Sequence, residues 1–270
     1  MTDMWNRFVS VQIGNLYITS DQLDIEFSVK GSNSSDANSV EVSIWNLAKK
    51  TRDAIKQDQD ILLRAGYVSD VGDLFAGKVK YVSEERDQGD LKTKITCLTK
   101  GYATGLAPVK YPVGTPLQTI IAAAFTKSGI TPQKIDDQGF TLEQDYTSET
   151  TAAADLDYCA KIINGSSRVH KPARYYIEAN SGYFVTQDFI TSEVVILSSE
   201  TGLIETLPET PDDGSYSRSI RCAMTHRIKV DSLIDLQSLD SRASGTYKVV
   251  EYTHKYEGTE YETECKVKPS

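Results

Sequence analysis

A long two-stranded pattern occurs once in each half of this chain of 270 residues. In the first copy, residues 78–83 lead into an acidic turn and residues 91–98 return; in the second, residues 248–253 and 259–267 do the same. Alternation of apolar and polar residues over such lengths predicts β-hairpins. Two similar hairpins so far apart in sequence predict two similar β-domains in one chain.

Other segments also read as strands. They alternate in the manner of half-buried strands, and turn residues such as glycine, asparagine and proline separate them. We assign them to residues 8–19, 23–29, 40–47, 60–67, 74–85, 174–179, 183–188, 194–197, 219–226 and 232–237. Residues 200–217 contain two prolines and an Asp-Asp-Gly sequence, so we predict a loop there.

The pattern becomes helical between the two hairpins. Thr115 as N-cap and Pro116 in the first turn open a helix that ends at Gly129, and a second helix covers about residues 151–164. The fold class is therefore mainly β with a small α/β insertion, in which the helical part separates two barrels or sheets. We place the domains at residues 1–103, 104–172 and 173–270.

The charge of the chain argues against tight nucleic-acid binding. The formal net charge is −9, and acidic residues cluster at 136–157 and 200–213. A nucleic-acid-binding protein usually carries a basic stripe, and the sequence has none. The sequence also lacks the ~20 consecutive apolar residues of a membrane span, and its first ten residues do not resemble a signal peptide. We expect no membrane insertion.

The sequence contains no evident catalytic, cofactor-binding or metal-binding constellation. The three histidines, at 170, 226 and 254, and the four cysteines, at 97, 159, 222 and 265, lie in no metal-ligand spacing. Nucleophile-elbow, phosphate-loop and dinucleotide-binding motifs are also missing. We therefore expect structural histidines, buried free thiols and no enzymatic activity.

Residues 40–79 carry the most specific motif. Val-Glu-Val-Ser-Ile-Trp-Asn-Leu at 40–47 is followed by Asp-Ile-Leu-Leu-Arg-Ala-Gly-Tyr at 60–67 and by Gly-Asp-Leu-Phe-Ala-Gly-Lys-Val at 72–79. This succession resembles the first domain of bacteriophage baseplate hub proteins of the late control protein D-like family. That family often has a glycine where this chain has Gln-Asp at 57–58.

Later segments extend the resemblance. Val-Gly-Thr-Pro-Leu at 113–117 resembles the middle domain of that family, and residues 245–250 and 265–269 resemble its closing strands. The resemblance implies two tail-tube-like β-barrel domains per chain, flanking a helical middle domain. Three chains would then form a pseudo-six-fold ring that joins the tail tube to the central spike and lets DNA pass without specific binding.

The same resemblance implies the partners and the location of the protein. The partners would be two further copies in a homotrimer, the tail tube or ring proteins near the tail terminator, the central spike protein and other baseplate proteins. The protein would be made in the cytoplasm of the bacterial host and would reside in the tail baseplate of the virion. No cofactor is implied.

Acidic residues are dense on the two hairpins. Because like charge avoids the trapping of phosphates, a negative surface suits a channel for DNA. We predict that some of these acids face the lumen of the ring or an interface, namely Glu84, Glu85, Asp87, Asp90, Glu257, Glu260, Glu262 and Glu264. An outer, solvated face is the competing interpretation.

Two alternative functions remain open at the level of the sequence. Paired acids at 136–137, 155 and 157, and 212–213 could serve a tail-associated cell-wall hydrolase, although they lie without an evident apolar pocket that would raise the pKa of a catalytic acid. Clustered aromatic residues could instead form a carbohydrate-binding β-module, namely Tyr175, Tyr176, Tyr183 and Phe184. Core packing explains their alternation more simply.

Overall fold

A computed structural model describes residues 6–33, 39–99, 107–148, 151–168, 170–210 and 216–270. In chain order the elements are β1 (Arg7–Ile13), β2 (Leu16–Thr19), β3 (Ile25–Ser32), β4 (Ser39–Trp45), α1 (Lys49–Ala54), β5 (Asp60–Tyr67), β6 (Asp70–Asp87), β7 (Asp90–Thr99), β8 (Lys110–Tyr111), α2 (Leu117–Lys127), β9 (Thr131–Ile135), β10 (Tyr146–Thr147), α3 (Ala152–Asn164), β11 (Ala173–Glu178), β12 (Ser181–Thr186), β13 (Val194–Ser198), β14 (Leu203–Pro208), β15 (Arg218–Ala223), β16 (Leu233–Gln237), β17 (Gly245–Glu257) and β18 (Glu260–Pro269). The predicted mainly β class is confirmed.

The chain divides into two compact units. The described residues up to Leu98 and from Ile190 onward form the first unit, and those between Thr99 and Phe189 form the second. Strands β11 and β12, which follow the predicted boundary at residue 172, lie in the second unit. The division into three domains stays a prediction.

The first unit is built on one sheet of 13 strands. Its main order is β14-β15-β18-β17-β3-β4-β7-β6-β5-β1-β2, with β16 beside β17 and β13 beside β16. The predicted hairpins β6–β7 and β17–β18 therefore belong to the same sheet, with β3 and β4 between them. The segment predicted as a loop at 200–217 contains an edge strand instead, β14, which pairs with β15.

The two hairpins end on the same side of the sheet but at different heights. Since β17, β3, β4 and β7 pair in antiparallel fashion, β17 and β6 run in the same direction. The register aligns Tyr256 with Ile95 through Phe27 and Val42. Glu257 follows Tyr256 by one position, whereas Asp90 precedes Ile95 by five, so the first hairpin extends about 13 Å further at ~3.3 Å per residue.

Residues distant in the sheet order meet in the core of the first unit. Tyr261 on β18 is buried, and its hydroxyl accepts a hydrogen bond from the amide of Gly66 at the end of β5 (2.6 Å). The hydroxyl also lies 3.0 Å from the carbonyl oxygen of Phe8 on β1. The sheet therefore curves, so that β18 reaches β1 and β5 from the far part of the strand order.

The second unit packs two helices with a small sheet of order β11-β12-β9. Its core is apolar and includes Phe125 from α2, Leu156 from α3 and Phe184 from β12. Both helices form where the sequence predicts them. Thr151 caps α3 by accepting a hydrogen bond from the amide of Ala154 (3.3 Å), whereas α2 begins one residue later than predicted, with Pro116 as its N-cap.

Candidate functional site

One face of the large sheet carries charged side chains across neighbouring strands. Successive residues of a strand point to opposite faces, so the apolar positions of these strands enter the core and the polar positions share the other side. We name this surface the polar face and define it by Glu26, Lys30, Glu41, Lys92, Lys94, Glu205, Arg221, Glu251, Lys255, Glu257, Glu260, Glu262, Glu264 and Lys266. Glu85 at the first hairpin reaches it through Lys94.

Opposite charges are neighbours along one row that crosses the strands. In this row Thr253 stands between Lys30 and Glu264, and Glu264 is followed by Arg221 and Glu205 on the next two strands. Directly opposite residues on neighbouring strands have Cβ atoms ~5 Å apart, which lets their side chains interact. The polar face is therefore a mixed-charge surface and not a uniformly acidic one.

Several cations of the polar face are each held by glutamates. Lys255 Nζ lies 2.9 Å from Glu257 and 2.8 Å from Glu260. Arg221 lies 3.2 Å from Glu205 and 3.7 Å from Glu262 on either side of it. The remaining pairs are Lys94–Glu85 at 2.5 Å, Lys92–Glu26 at 2.6 Å and Lys266–Glu251 at 3.4 Å.

The structure brings five of the eight predicted acids to the polar face: Glu85, Glu257, Glu260, Glu262 and Glu264. Glu264 accepts a hydrogen bond from the hydroxyl of Ser219 (3.3 Å). Whether any of these acids faces a lumen or an interface stays a prediction.

The other three acids lie at the projecting end of the first hairpin. Glu84 pairs with Arg52 of α1 at 2.9 Å, and Asp90 accepts a hydrogen bond from the side-chain amide of Asn46 at 3.0 Å. Asp87 is exposed at the turn. The turn residues Gln88 and Gly89 both have positive φ, at 49° and 104°, as a tight two-residue hairpin turn requires.

Hydrogen bonds within these ion pairs stabilise the charged forms of Glu85, Glu257 and Lys255. The hydrogen bond from Lys94 lowers the pKa of Glu85, and the hydrogen bond from Lys255 lowers the pKa of Glu257. The hydrogen bonds to Glu260 and Glu257 raise the pKa of Lys255. At neutral pH these groups are therefore charged, and the pairs persist.

His254 and the four cysteines are buried, which makes them poor candidates for catalytic groups. His254 is fully buried, shares a hydrogen bond with the hydroxyl of Thr263 (2.8 Å), and has its pKa lowered to about 3 by desolvation. The four cysteines are free and buried, which confirms the prediction of buried thiols. Burial raises the pKa of Cys97, Cys159 and Cys222 to about 12, so these thiols are poor nucleophiles.

The residues of the alternative functions have structural partners. Tyr175, Tyr176 and Phe184 are buried in the second unit, and Tyr183 stacks on Tyr176 at 4.8 Å. Asp155 accepts a hydrogen bond from the hydroxyl of Tyr146 (2.7 Å), and Asp157 accepts one from Tyr175 (2.9 Å). The acids at 212–213 lie outside the described residues.

Within the described part of the chain, no group of three or more histidine, cysteine, aspartate or glutamate side chains is placed to hold a metal ion. None of the described helices combines the length and apolar character of a membrane span.

Sequence reasoning missed the basic half of the polar face. It singled out acids on the hairpins, although Lys255 and Lys266 alternate with them in the same strands. Their spacing by even numbers of residues already indicates a shared face. Arg221 could be assigned to that face only from the register between β15 and β18.

Comparisons with known proteins find similarity in structure alone. No protein-family model matches the chain, and no curated protein is similar to it in sequence. The 43 kDa tail protein of prophage MuSo2 from Shewanella oneidensis superposes with a TM-score of 0.65 over 98% of this chain and 98% of its own, at 11% identity. A tail protein from Neisseria meningitidis MC58 gives 0.67 over 98% and 97%, at 8% identity.

A third solved structure comes from a different machine. The Escherichia coli c3393 protein is a component of the type VI secretion system with structural similarity to the bacteriophage T4 tail proteins gp27 and gp5. It superposes with a TM-score of 0.58 over 96% of this chain and 76% of its own, at 10% identity. The chain therefore has the fold of these phage tail and tail-like proteins, as the resemblance to baseplate hub proteins implies.

Proposed function

We propose that the chain is a structural baseplate hub protein of a phage tail or tail-like injection machine. Three copies form a pseudo-six-fold ring that joins the tail tube to the central spike and lets DNA pass. The observation that carries this proposal is the shared fold with a prophage tail protein over 98% of both chains. A match over nearly the whole length of both chains is the fold-level analogy on which this proposal rests.

The arrangement of the two hairpins in the first unit favours two tube-like domains in each chain. The hairpins β6–β7 and β17–β18 lie in one sheet, run in the same direction and are separated by β3 and β4. Each hairpin with its neighbouring strands would supply one of the six wall segments that three chains need to meet a six-fold tube. We keep residues 104–172 as the helical middle domain of this proposal.

The polar face is our candidate for the wall of the passage. It carries Glu85, Glu257, Glu260, Glu262 and Glu264, and it is polar over neighbouring strands, as a water-filled channel requires. The net charge of −9 further reduces the attraction for phosphates. The acids at the projecting end, Glu84, Asp87 and Asp90, are better placed for an interface with a partner.

The partners in this proposal are the tail tube or ring proteins near the tail terminator, the central spike protein and other baseplate proteins, in the virion. We propose no enzymatic activity and no cofactor, because the candidate surface consists of paired charges and not of an isolated acid or nucleophile.

Electron microscopy of the purified protein tests the proposal, together with light scattering at several concentrations. We expect particles of three copies with a central hole, and binding of these particles to the spike protein produced by the same genome. A monomer at every concentration that also fails to bind tube and spike proteins would overturn it. Release of fragments from purified cell-wall material would favour the hydrolase instead.

A further inference from the structure

Three cations of the polar face lie in a band across it. Arg221 is on β15, Lys255 on β17 and Lys94 on β7, and five strand spacings separate β15 from β7. At ~4.8 Å per spacing the band is about 24 Å wide along the sheet, which is comparable to the width of a DNA duplex. Lysine and arginine side chains spread over such a length are the usual footprint for a phosphate backbone.

Five glutamates surround these three cations. Glu205 and Glu262 contact Arg221, Glu257 and Glu260 contact Lys255, and Glu85 contacts Lys94, at distances from 2.5 to 3.7 Å. Each cation therefore has its charge neutralised within the sheet, and the group as a whole keeps an excess of two negative charges.

Stability alone explains this arrangement poorly. The paired side chains are between 28% and 59% exposed, and solvent-exposed ion pairs of this kind contribute little to the free energy of unfolding. A wall that only had to repel DNA would need the glutamates but not the cations between them. The pairing has a clear effect on a polyanion, because a phosphate must compete with a glutamate for each paired cation.

We propose that these five glutamates of the polar face mask Lys94, Lys255 and Arg221 from phosphates, so that duplex DNA can slide along this band without being held by it. This inference rests on the proposed passage of DNA for its biological role. The masking itself is a property of the face of a single chain and can be measured on the purified protein, whether or not rings form.

The test compares three variants with the wild type in a fluorescence anisotropy assay with a duplex of random sequence. The unmasked variant replaces the five glutamates: Glu85→Gln, Glu205→Gln, Glu257→Gln, Glu260→Gln and Glu262→Gln. The matched control replaces five exposed aspartates that pair with cations elsewhere: Asp53→Asn, Asp60→Asn, Asp73→Asn, Asp188→Asn and Asp240→Asn. Both variants change the net charge by the same amount.

The third variant adds Lys94→Gln, Arg221→Gln and Lys255→Gln to the unmasked one. We expect the unmasked variant to bind DNA at least about tenfold more tightly than the wild type at low salt, since three cations become available. Three phosphate contacts give a salt slope of about −2.7, so its affinity should fall roughly 40-fold between about 50 and about 200 mM salt. The third variant should lose this binding.

Two outcomes would overturn the inference. If the matched control binds DNA as tightly as the unmasked variant, a change in net charge or the release of any paired cation explains the binding, and the polar face has no particular role. If the unmasked variant binds no more tightly than the wild type while circular dichroism shows it to be folded, the cations are not masked phosphate sites. Neither outcome bears on the proposal that three chains form a ring, because electron microscopy tests that proposal separately.

Discussion

The hydroxyl of Tyr261 accepts a hydrogen bond from the backbone amide of Gly66 at 2.6 Å, although 195 residues separate the two in sequence. The same hydroxyl lies 2.7 Å from the carbonyl oxygen of Gly66. Any side chain at residue 66 would collide with the start of β6, because a Cβ atom there would lie 2.2 Å from the carbonyl oxygen of Asp70. The contact thus joins a backbone position that needs glycine to a tyrosine from the other end of the chain.

Removal of this hydroxyl should destabilise the first unit. Tyr261→Phe leaves the buried amide of Gly66 without its partner, which typically costs about 1–3 kcal/mol of the free energy of unfolding. Urea denaturation followed by tryptophan fluorescence measures the change. Tyr17→Phe is the matched control, since Tyr17 is exposed and should lose little. Equal stability of the two variants would contradict the role given to the contact.

The buried ion pair between Lys248 and Asp231 should be sensitive to the loss of one member. Their charged atoms lie 3.0 Å apart, and both side chains are almost completely buried. Lys248→Met leaves a buried carboxylate without its cation, for which we expect a loss of about 3–5 kcal/mol. Combining it with Asp231→Leu should recover part of that loss in the same denaturation experiment. A double variant less stable than the single one would contradict this account.

The stability of the first unit should fall in acid because of His254. Burial lowers its pKa in the folded state to about 3, while the unfolded chain keeps a value near 6.5. Above pH ~6.5 the ring is neutral in both the folded and the unfolded state, so it does not oppose folding. As the pH falls below that value, the unfolded state binds a proton that the folded state does not bind, and the free energy of unfolding decreases.

At pH ~4.5 the difference between the two pKa values of His254 lowers the free energy of unfolding by about 2–3 kcal/mol. Denaturation curves between pH ~7.5 and ~4.5 should record it for the wild type, and His254→Gln should remove that part of the slope. An unchanged slope in the variant would show that other groups cause the acid sensitivity.

A side chain at residue 72 should destabilise the protein as long as His226 is present. A Cβ atom at residue 72 would lie 2.0 Å from the ring of His226. We expect Gly72→Ala to cost about 1–3 kcal/mol, as for other overpacked sites, and His226→Ala to relieve most of that cost. A double-mutant cycle in urea checks the coupling, and strictly additive effects would contradict the steric explanation.

The local elements of the fold follow from the sequence, whereas their long-range arrangement does not. Alternation at 78–98 and 248–267 predicts both hairpins, and Thr151 correctly marks the start of α3. No local signal says that β17 pairs with β3, since this contact joins residues more than 200 positions apart. That pairing puts both hairpins into one sheet.

Strand β14 illustrates how an edge strand escapes detection. Its residues are exposed or half-buried, so they do not alternate, and it ends at Pro208. Such features are typical of a loop in the sequence, but proline and charge are also tolerated at the edge of a sheet, where one side of the backbone remains unpaired. The basic neighbours of the acids on the polar face could not be predicted for a similar reason, because the register between the strands cannot be read from the sequence.

The unequal heights of the two hairpins have a consequence for symmetry. In a ring of three chains, each chain would contribute one longer and one shorter projecting hairpin to the same rim. That rim would then repeat every 120° and not every 60°. A three-fold symmetric component would find three equivalent binding positions between the longer hairpins, whereas a six-fold symmetric component would meet two kinds of binding position. In such a ring, the rim with the hairpin tips would therefore suit the change from six-fold to three-fold order better than a contact that needs six equal positions.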